Sequence, residues 1–477
     1  MASVRHAVVF STASHVSARL IALTSTMLIA RLLTPSEIGT FAIASAVVMI
    51  MNEFRLLGAG AWIIREREAT PHKVRRALGL TILISWGLGF SLFLLAPLIA
   101  DFYAINEIAT IFRILSVGFL LAPYISIPTS ILSRNFEFRA LFVVNVISSI
   151  IGFITTIWLI LNGFSYYSMA WGYLANVGSE FLLLFLLRPA VMPWVPSFLR
   201  MGEIVRFGVF NSLANLTRRA TLSAPDMIIG KMGTTFQVGI FSRGLGFVDF
   251  VSQTLITGIS PVVLPYLSQI KREGGDIASA YLRASVLMGG MVWPVLAVVS
   301  VASLPAIRLF FGDQWDQAAP LASWLAIWAM LRMVHWFSND LLMANGNETV
   351  MVIKEVSVFV LLALAVVIAF PYGLNIVAFA FVAVGAIDLV LTSLVLRSCI
   401  GVRFTALFRA WRANFAVTLV CLGVTFAVDE LVSFKINPAW RPVLFIAAVL
   451  PLIWLISLKI FRHPLLDEIT RLLARFR

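Results

Sequence analysis

The sequence consists largely of continuous apolar runs, each close to the roughly 20 residues that a helix needs to cross the hydrocarbon core of a membrane. Short loops that carry charges, Gly or Pro separate the runs. The chain is therefore predicted to be an all-α polytopic membrane protein. Fourteen membrane spans are predicted, at approximately 7–30, 40–58, 77–100, 108–133, 140–161, 167–187, 204–230, 239–268, 280–303, 320–344, 349–370, 374–397, 413–430 and 441–460.

Composition favours helical spans over a membrane β-barrel. Hydrophobic residues make up 60% of the chain and charged residues only 12%. Strands of a membrane barrel alternate apolar and polar residues, whereas these apolar runs are continuous. The first run lacks a small-residue cleavage site and further spans follow it, so it is predicted to be a retained helix and not a signal peptide.

The net charge of +13 is explained by membrane topology. Its basic residues are spread over many loops and form no stripe beside stacking aromatic residues, which argues against a nucleic-acid partner. Alternate loops are rich in Lys and Arg, and such loops stay on the cytoplasmic side. This pattern predicts that both termini are cytoplasmic. The basic loops contain Arg65 and Lys73, Arg134 and Arg139, Arg188 and Arg206, Lys271 and Arg272, and Arg403 and Arg412.

Two segments 200 residues apart resemble each other. RLLTPSEIGTF begins at Arg31 and KMGTTFQVGIF begins at Lys231, with Thr, Gly and Phe at matching positions. The match predicts an internal duplication of a six-span unit. Because each unit has an even number of spans, both copies enter the membrane from the same side, and the repeat axis is expected to lie along the membrane normal.

The duplication divides the chain into predicted domains. Residues 1–188 form an N-lobe with spans one to six, 204–398 form a C-lobe with spans seven to twelve, and 412–460 contain two additional spans. Residues 461–477 form an amphipathic tail that is predicted to lie on the cytoplasmic leaflet.

Arginines lie near the middle of two spans that correspond in the repeat, Arg19 in span one and Arg219 in span seven. A charged side chain at this depth costs several kcal/mol unless it faces protein or a wet cavity. A guanidinium group is always charged and binds phosphate oxygens in a fork. Arg19, Arg218 and Arg219, together with Arg332 of span ten, are therefore predicted to bind a diphosphate.

Polar residues accompany these arginines on the same helical faces. His15 lies near Arg19, and Asn211 and Asn215 lie near Arg219. They are predicted to contact sugars or to line the cavity. The alternative is that they form hydrogen bonds between helices.

Span ten carries Trp324, Trp328, Arg332, His335 and Asn339 at spacings of four, four, three and four. This helical face is predicted to contact sugar rings. The alternative for the tryptophans is ordinary packing or anchoring at the membrane interface.

Acidic residues also fall within the spans, namely Glu53, Asp226, Asp249, Asp340 and Asp388. Such carboxylates either bind a proton or Na⁺ during transport or neutralise neighbouring arginines. Ion coupling is predicted for Glu53, Asp226, Asp249 and Asp388.

Enzyme signatures are sparse. HExxH, GxSxG, Walker A and GxGxxG do not occur in their required contexts, and the histidines lack metal-ligand spacing. The two cysteines, Cys399 and Cys421, have no CxxC spacing. The chain is therefore predicted to be a transporter and not an enzyme, with neither a cofactor nor a metal.

Four stretches carry a family resemblance: IARLLTPSEIGTFAIA in the first hairpin, LGAGAWIIREREAT before the first basic loop, ILSRNFEFR at the end of span four, and VGIFSRG at the start of span eight. Together with the duplication and the fourteen spans, they resemble the Wzx-type polysaccharide flippases of the MOP superfamily. This superfamily also contains the lipid II flippases and the MATE drug exporters.

The resemblance implies two six-helix lobes around a central cavity in the bacterial inner membrane. It implies transfer of an undecaprenyl-diphosphate-linked oligosaccharide to the periplasmic leaflet by alternating access, for exopolysaccharide or lipopolysaccharide synthesis. Membrane lipids, a polysaccharide polymerase and a chain-length regulator are the further partners that it implies. The additional helix pair resembles one that lines a groove for the lipid tail in lipid II flippases.

Three alternative functions can be distinguished from this one. A lipid II flippase has the same fold and another substrate. A MATE-like, cation-coupled exporter of cationic drugs needs an acidic cavity, whereas spans one, seven and ten carry more arginine than acid. A glycan polymerase or ligase needs long outward loops with catalytic residues, whereas these loops are short.

Overall fold

The structure is a computed structural model that describes residues 4–55, 59–66, 68, 70–187, 192, 194–199, 201–256 and 260–475. All regular secondary structure within these ranges is helical. The chain divides into two compact units, unit 1 from Met1 to Gly239 and unit 2 from Ile240 to Arg477. The multi-pass, all-helical fold that the sequence predicted is confirmed.

Unit 1 contains α1 Val4–Leu32, α2 Pro35–Arg55, α3 Ala59–Arg65, α4 Pro71–Tyr103, α5 Glu107–Leu121, α6 Pro123–Arg134, α7 Phe138–Leu161, α8 Tyr167–Leu187, α9 Gly202–Met232 and the start of α10 Thr235–Ile256. Helices α1 and α8 both pack on α7, and α9 packs on α2.

Unit 2 contains the rest of α10, then α11 Ser260–Arg272, α12 Ile277–Phe311, α13 Ala318–Val334, α14 Ser338–Asn345, α15 Glu348–Ala369, α16 Leu374–Ile400, α17 Phe404–Val432, α18 Trp440–Ile460 and α19 Pro464–Arg475. Helix α12 packs on α13 and α17, and α16 packs on α13 and α15.

Each predicted span coincides with one helix or with a broken pair of helices. Nine helices of the described residues are long and apolar enough to cross a membrane, and the pair α5–α6 is a tenth candidate. Helices α1, α9, α10 and α13 cover the other predicted spans. Polar and charged residues lower the hydropathy of α1 and α9, which carry the predicted substrate arginines.

Three predicted spans differ from the observed helices. Span four is bent by 44° between α5 and α6, where Pro123 begins the new helix. Span ten is interrupted between Val334 and Ser338. Span eight was predicted to run from 239 to 268, but α10 ends at Ile256 and α11 begins at Ser260.

The unit boundary does not coincide with the predicted lobe boundary. Residues 204–239, which the sequence predicts to be the start of the C-lobe, belong to unit 1, where α9 packs on α2. The lobes remain a prediction about the duplication, whereas the units describe which helices pack together.

Local sequence explains the shape of α12. Asp276 caps its start by accepting hydrogen bonds from the backbone N–H groups of Ala278, at 3.0 Å, and Ser279, at 3.1 Å. The hydrogen bond from the Ser279 hydroxyl, together with these backbone bonds, lowers the pKa of the Asp276 carboxyl. Ala302 has non-helical angles (φ −93°, ψ 22°). Three residues later, Pro305 removes a backbone donor and produces this kink.

The C-terminal helix docks on the protein. Leu465, Leu466 and Ile469 of α19 pack against the core between α17 and α18, and Arg283 of α12 forms an ion pair with Glu468 at 2.7 Å. His463, just before α19, is 1% exposed, and burial lowers its pKa to about 4. The tail was predicted to lie on the cytoplasmic leaflet; its described apolar residues contact other helices.

Candidate substrate-binding site

The two copies of the repeated motif contact each other within unit 1. A Cβ atom added to Gly39 of α2 would lie 1.8 Å from the backbone oxygen of Thr235. A Cβ atom added to Gly239 of α10 would lie 1.9 Å from the backbone oxygen of Pro35. Both positions therefore require glycine, because only a residue without a side chain permits backbones to approach this closely.

The starts of these two helices are also stabilised in the same way. The backbone N–H of Thr34 donates to Glu37 Oε2 at 2.7 Å, and that of Thr234 donates to Gln237 Oε1 at 3.0 Å. Each is a capping contact from a side chain three residues along. The hydroxyl of Ser165, in the loop between α7 and α8, also donates to Glu37.

The predicted phosphate-binding arginines of unit 1 lie on α1 and α9. Arg219 Nε lies 3.2 Å from Glu53 Oε1 of α2, and the two side chains are 45% and 16% exposed. Arg19 and Arg218 are partly exposed, and each has an interaction partner. The side chains of His15, Asn211 and Asn215 lie outside the described part of the chain.

A polar cavity of about 350 Å³ lies beside α1 in unit 1. It is bounded by α1, α6, α7 and α8. Its hydroxyl, amide and carboxylate groups are suited to hydrogen bonding with a polar ligand. Residues that line it include Ala18, Thr129, Ser133, Ser148, Asn176 and Glu180.

Sequence reasoning missed Glu180, which lines this cavity, and Arg55, which interacts with Glu180 electrostatically. The Arg55 guanidinium interacts electrostatically with Tyr173 and Glu180, and also with Glu53. Its Nε is buried and has no hydrogen-bond partner among the described residues. Arg55 is the last residue of α2 and Glu180 lies in an apolar run, so a local pattern gave no reason to connect them.

Arg332 of unit 2 lies on α13 between two tryptophans. Its guanidinium carbon is 4.7 Å from the centre of the Trp328 ring and 6.0 Å from that of Trp336. Trp328 was predicted to stack on a sugar, but it is only 5% exposed and packs edge-on against Phe381. In this structure the ring supports Arg332, and its contact with a sugar stays a prediction.

His335 is buried at the break between α13 and α14. Its Nδ1 is 2.7 Å from the Tyr281 hydroxyl, and its Nε2 is 2.8 Å from the Ser393 hydroxyl. The Ser393 hydroxyl donates to Leu389 O, so it accepts from His335 Nε2, and Nδ1 accepts from Tyr281. The prediction that His335 contacts a sugar remains untested, because both ring nitrogens are engaged here.

A buried ion pair lies next to these residues. Lys354 Nζ is 2.8 Å from Glu355 Oε1, and the two side chains are 6% and 15% exposed. Asn339 Nδ2 donates to the same carboxylate at 2.8 Å. Arg332 also interacts electrostatically with Glu355. Sequence reasoning found Arg332 and Asn339 but missed Lys354 and Glu355, which lie near the start of an apolar run.

Two of the predicted ion-coupling acids are engaged by side chains of their own helices. Asp249 accepts from Gln253 at 3.4 Å and Asp388 accepts from Thr392 at 2.9 Å, both four residues along the same helix. Asp226 of α9 makes a contact with a neighbour. No group of three or more His, Cys, Asp or Glu residues suited to a metal occurs among the described residues.

Unit 2 also contains an apolar groove of about 390 Å³ between α12, α17 and α18. Almost all of its lining is hydrocarbon, which suits an extended apolar chain. Residues that line it include Met291, Pro294, Val298, Cys421, Leu450 and Trp454.

Known proteins resemble this chain along most of its length. The model of the family described as polysaccharide biosynthesis protein matches residues 28–320. The teichuronic acid biosynthesis protein TuaB of Bacillus subtilis (strain 168) is 24% identical over 406 residues, 82% of each chain. The lipopolysaccharide biosynthesis protein WzxC of Escherichia coli (strain K12) is 20% identical over 455 residues, 94% of this chain and 92% of WzxC.

A solved structure shares the fold. The lipid II flippase MurJ, in an inward closed conformation, matches with a TM-score of 0.76 over 96% of this chain and 99% of that one. The two sequences are 16% identical, so the likeness establishes the fold and leaves the substrate open.

Proposed function

The chain belongs to the polysaccharide biosynthesis protein family, and we propose that it is a flippase for undecaprenyl-diphosphate-linked oligosaccharide repeat units. The substrate moves from the cytoplasmic to the periplasmic leaflet of the bacterial inner membrane by alternating access of the two lobes. The product enters exopolysaccharide or lipopolysaccharide synthesis, where a polymerase and a chain-length regulator act on it. Both termini are cytoplasmic, as the basic loops suggest.

The position of Arg219 carries this proposal. It lies about halfway along α9, yet its side chain is 45% exposed and contacts a carboxylate of α2. A membrane-spanning helix retains such a charge when the charge serves a substrate or ion pathway. Arg19 and Arg218 add two further guanidinium groups on α1 and α9, and together these groups suit the charge of a diphosphate.

The other predicted residues receive separate roles. Arg332 binds the diphosphate, and Asn339 contacts a sugar. Trp328 and His335 are buried, so they hold α13 and Arg332 in place in this conformation. His15, Asn211 and Asn215 are assigned to sugar contacts, as the sequence predicts.

The apolar groove of unit 2 is the proposed site of the polyprenyl tail. Its walls are formed by α12 and the additional helix pair α17–α18. Burying isoprenoid methyl and methylene groups there is favourable by about 25 cal/mol for each Å² removed from water. The tail can thus stay in an apolar environment while the headgroup crosses.

The test is polysaccharide export in a host strain that lacks its own flippase for the same repeat unit. Arg19→Ala and Arg219→Ala are each expected to reduce export by at least tenfold at normal membrane abundance. Arg283→Ala is the matched control, because Arg283 forms an exposed ion pair with Glu468 of the C-terminal helix. Full export by both site variants would refute the assignment.

The lipid II alternative is tested in a strain depleted of its lipid II flippase. Rescue of growth by this chain would favour lipid II as the substrate. Export of cationic drugs, measured by dye efflux, would favour the MATE-like alternative. The excess of arginine over acidic residues in spans one, seven and ten predicts that dye efflux is not observed.

A further inference from the structure

Glu53 is held to Arg219 by a single contact. One carboxylate oxygen, Oε1, lies 3.2 Å from Nε of the guanidinium, and the arginine side chain remains 45% exposed. A paired carboxylate and guanidinium can form two parallel bonds in a fork. Only one close contact is made here, so most of the donor capacity of Arg219 faces away from Glu53.

Glu355 of unit 2 provides the contrast. Its carboxylate accepts from both Lys354 and Asn339 at 2.8 Å, and the lysine side chain is only 6% exposed. Removing one partner from such a buried pair leaves an uncompensated charge. Glu355 is therefore fixed in place, whereas the bond between Glu53 and Arg219 resembles an exposed pair of low strength.

A second cation is available to Glu53. Arg55 lies two residues further along α2 and interacts electrostatically with both Glu53 and Glu180. Its buried Nε–H makes no hydrogen bond among the described residues. A buried donor without a partner is costly, so a carboxylate that approaches Arg55 is stabilised.

We propose that Glu53 is a displaceable counter-ion that occupies the anion position of Arg219 in the substrate-free protein and moves toward Arg55 when a diphosphate arrives. This inference rests on the proposed function and names a positioning residue for its site. In the resting state Glu53 neutralises Arg219, and in the loaded state the phosphate oxygens take over that role. No covalent bond changes in this exchange.

The exchange also explains how a cationic site releases its cargo. Several guanidinium groups around a diphosphate would hold it tightly, and tight binding slows release on the far side of the membrane. A competing carboxylate lowers the affinity equally for entry and exit and restores a neutral pair after release. Glu53 thus sets the balance between affinity and turnover.

The test compares pyrophosphate affinity with transport rate in the full-length protein. Purified protein in nanodiscs is titrated with inorganic pyrophosphate by calorimetry, and export is measured in cells. Glu53→Gln keeps the shape of the side chain and removes its charge. It is expected to bind pyrophosphate about two- to fivefold more tightly, the range set by an exposed ion pair, and to export polysaccharide more slowly.

Two variants make the result specific. Glu468→Gln removes the carboxylate of the exposed pair with Arg283 and is expected to change neither affinity nor export. Arg55→Met removes the second cation and is expected to weaken pyrophosphate binding about two- to fivefold, since the displaced Glu53 loses its alternative partner. Melting temperatures of all variants report whether folding is intact.

The outcomes separate this inference from the proposed function. Tighter binding together with slower export in Glu53→Gln supports the exchange. Unchanged or weaker binding in Glu53→Gln, while Arg219→Ala still loses pyrophosphate binding, overturns the exchange and leaves the proposed site standing. If Arg219→Ala binds pyrophosphate as well as the native protein does, the site and the exchange are both wrong.

Discussion

The arginines proposed to bind substrate are neutralised differently in the two units. In unit 1, Arg219 shares one contact of 3.2 Å with Glu53 and is nearly half exposed. In unit 2, Arg332 stacks on Trp328, and the nearby Glu355 is held by Lys354 and Asn339. The first arrangement can exchange one anion for another at small cost. The second is a buried network whose members depend on each other.

This difference teaches that a charge inside a membrane protein does not reveal its role by its position along a span. Both arginines lie within predicted membrane spans. Their neighbours decide whether the charge is available to a ligand or is committed to the structure. We therefore expect substitutions in the buried network of unit 2 to reduce mainly the stability of the protein. Substitution of Arg219 in unit 1 should reduce mainly transport.

The largest loss of stability is expected for Lys354→Met. The substitution leaves Glu355 buried without its ionic partner, and breaking a pair of this kind costs about 3–5 kcal/mol. The free energy of unfolding in detergent is the measurement. A loss below about 1 kcal/mol would break the comparison, because it would make the unit 2 pair as loosely held as an exposed one.

A smaller loss is expected for Tyr281→Phe. The ring still fits, but His335 Nδ1 loses its donor in a buried position, which costs about 1–3 kcal/mol. Thermal unfolding of the purified variant is the check, with Tyr372→Phe as the control because Tyr372 is 75% exposed. Equal stability of the two variants would show that the His335 network does not hold α13 and α14 together.

The smallest loss is expected for Arg219→Met. An exposed ion pair contributes about 0–1 kcal/mol, so the free energy of unfolding should barely change. Export should nevertheless fall as steeply as in Arg219→Ala. A variant that unfolds far more easily would place Arg219 with the structural charges, and the difference between the units would disappear.

The sequence predicted the helices well and the contacts within the site poorly. Hydropathy and charged loops are local properties, so all fourteen spans coincide with helices or broken pairs. The break in the helix after Val334 was not predicted, because no Pro or Gly marks it. It is stabilised by distant groups: the Ser285 hydroxyl donates to Val334 O at 2.7 Å, and Trp293 donates to Met330 O at 2.7 Å.

The same limit applies to the site residues. Arg19, Arg219 and Arg332 were selected as candidates because a charge within an apolar run is visible in the sequence. Arg55 and Glu180 were missed because they interact although they lie far apart in the sequence. Lys354 and Glu355 are adjacent, but the sequence does not show that both side chains are largely buried. Trp328 and His335 were selected as sugar contacts, and the sequence did not show that neighbouring helices bury them.

The close approach of the backbones at Gly39 and Gly239 explains why the duplication can still be recognised in the sequence. Each glycine leaves room for a carbonyl oxygen that belongs to the other copy of the motif. A methyl group at either position would collide with the backbone of the other copy. A side-chain change elsewhere in the same copy cannot relieve that collision. A substitution at either glycine is therefore restricted by the backbone of the other copy. This mutual restriction preserves the similarity of the two duplicated segments where they contact each other.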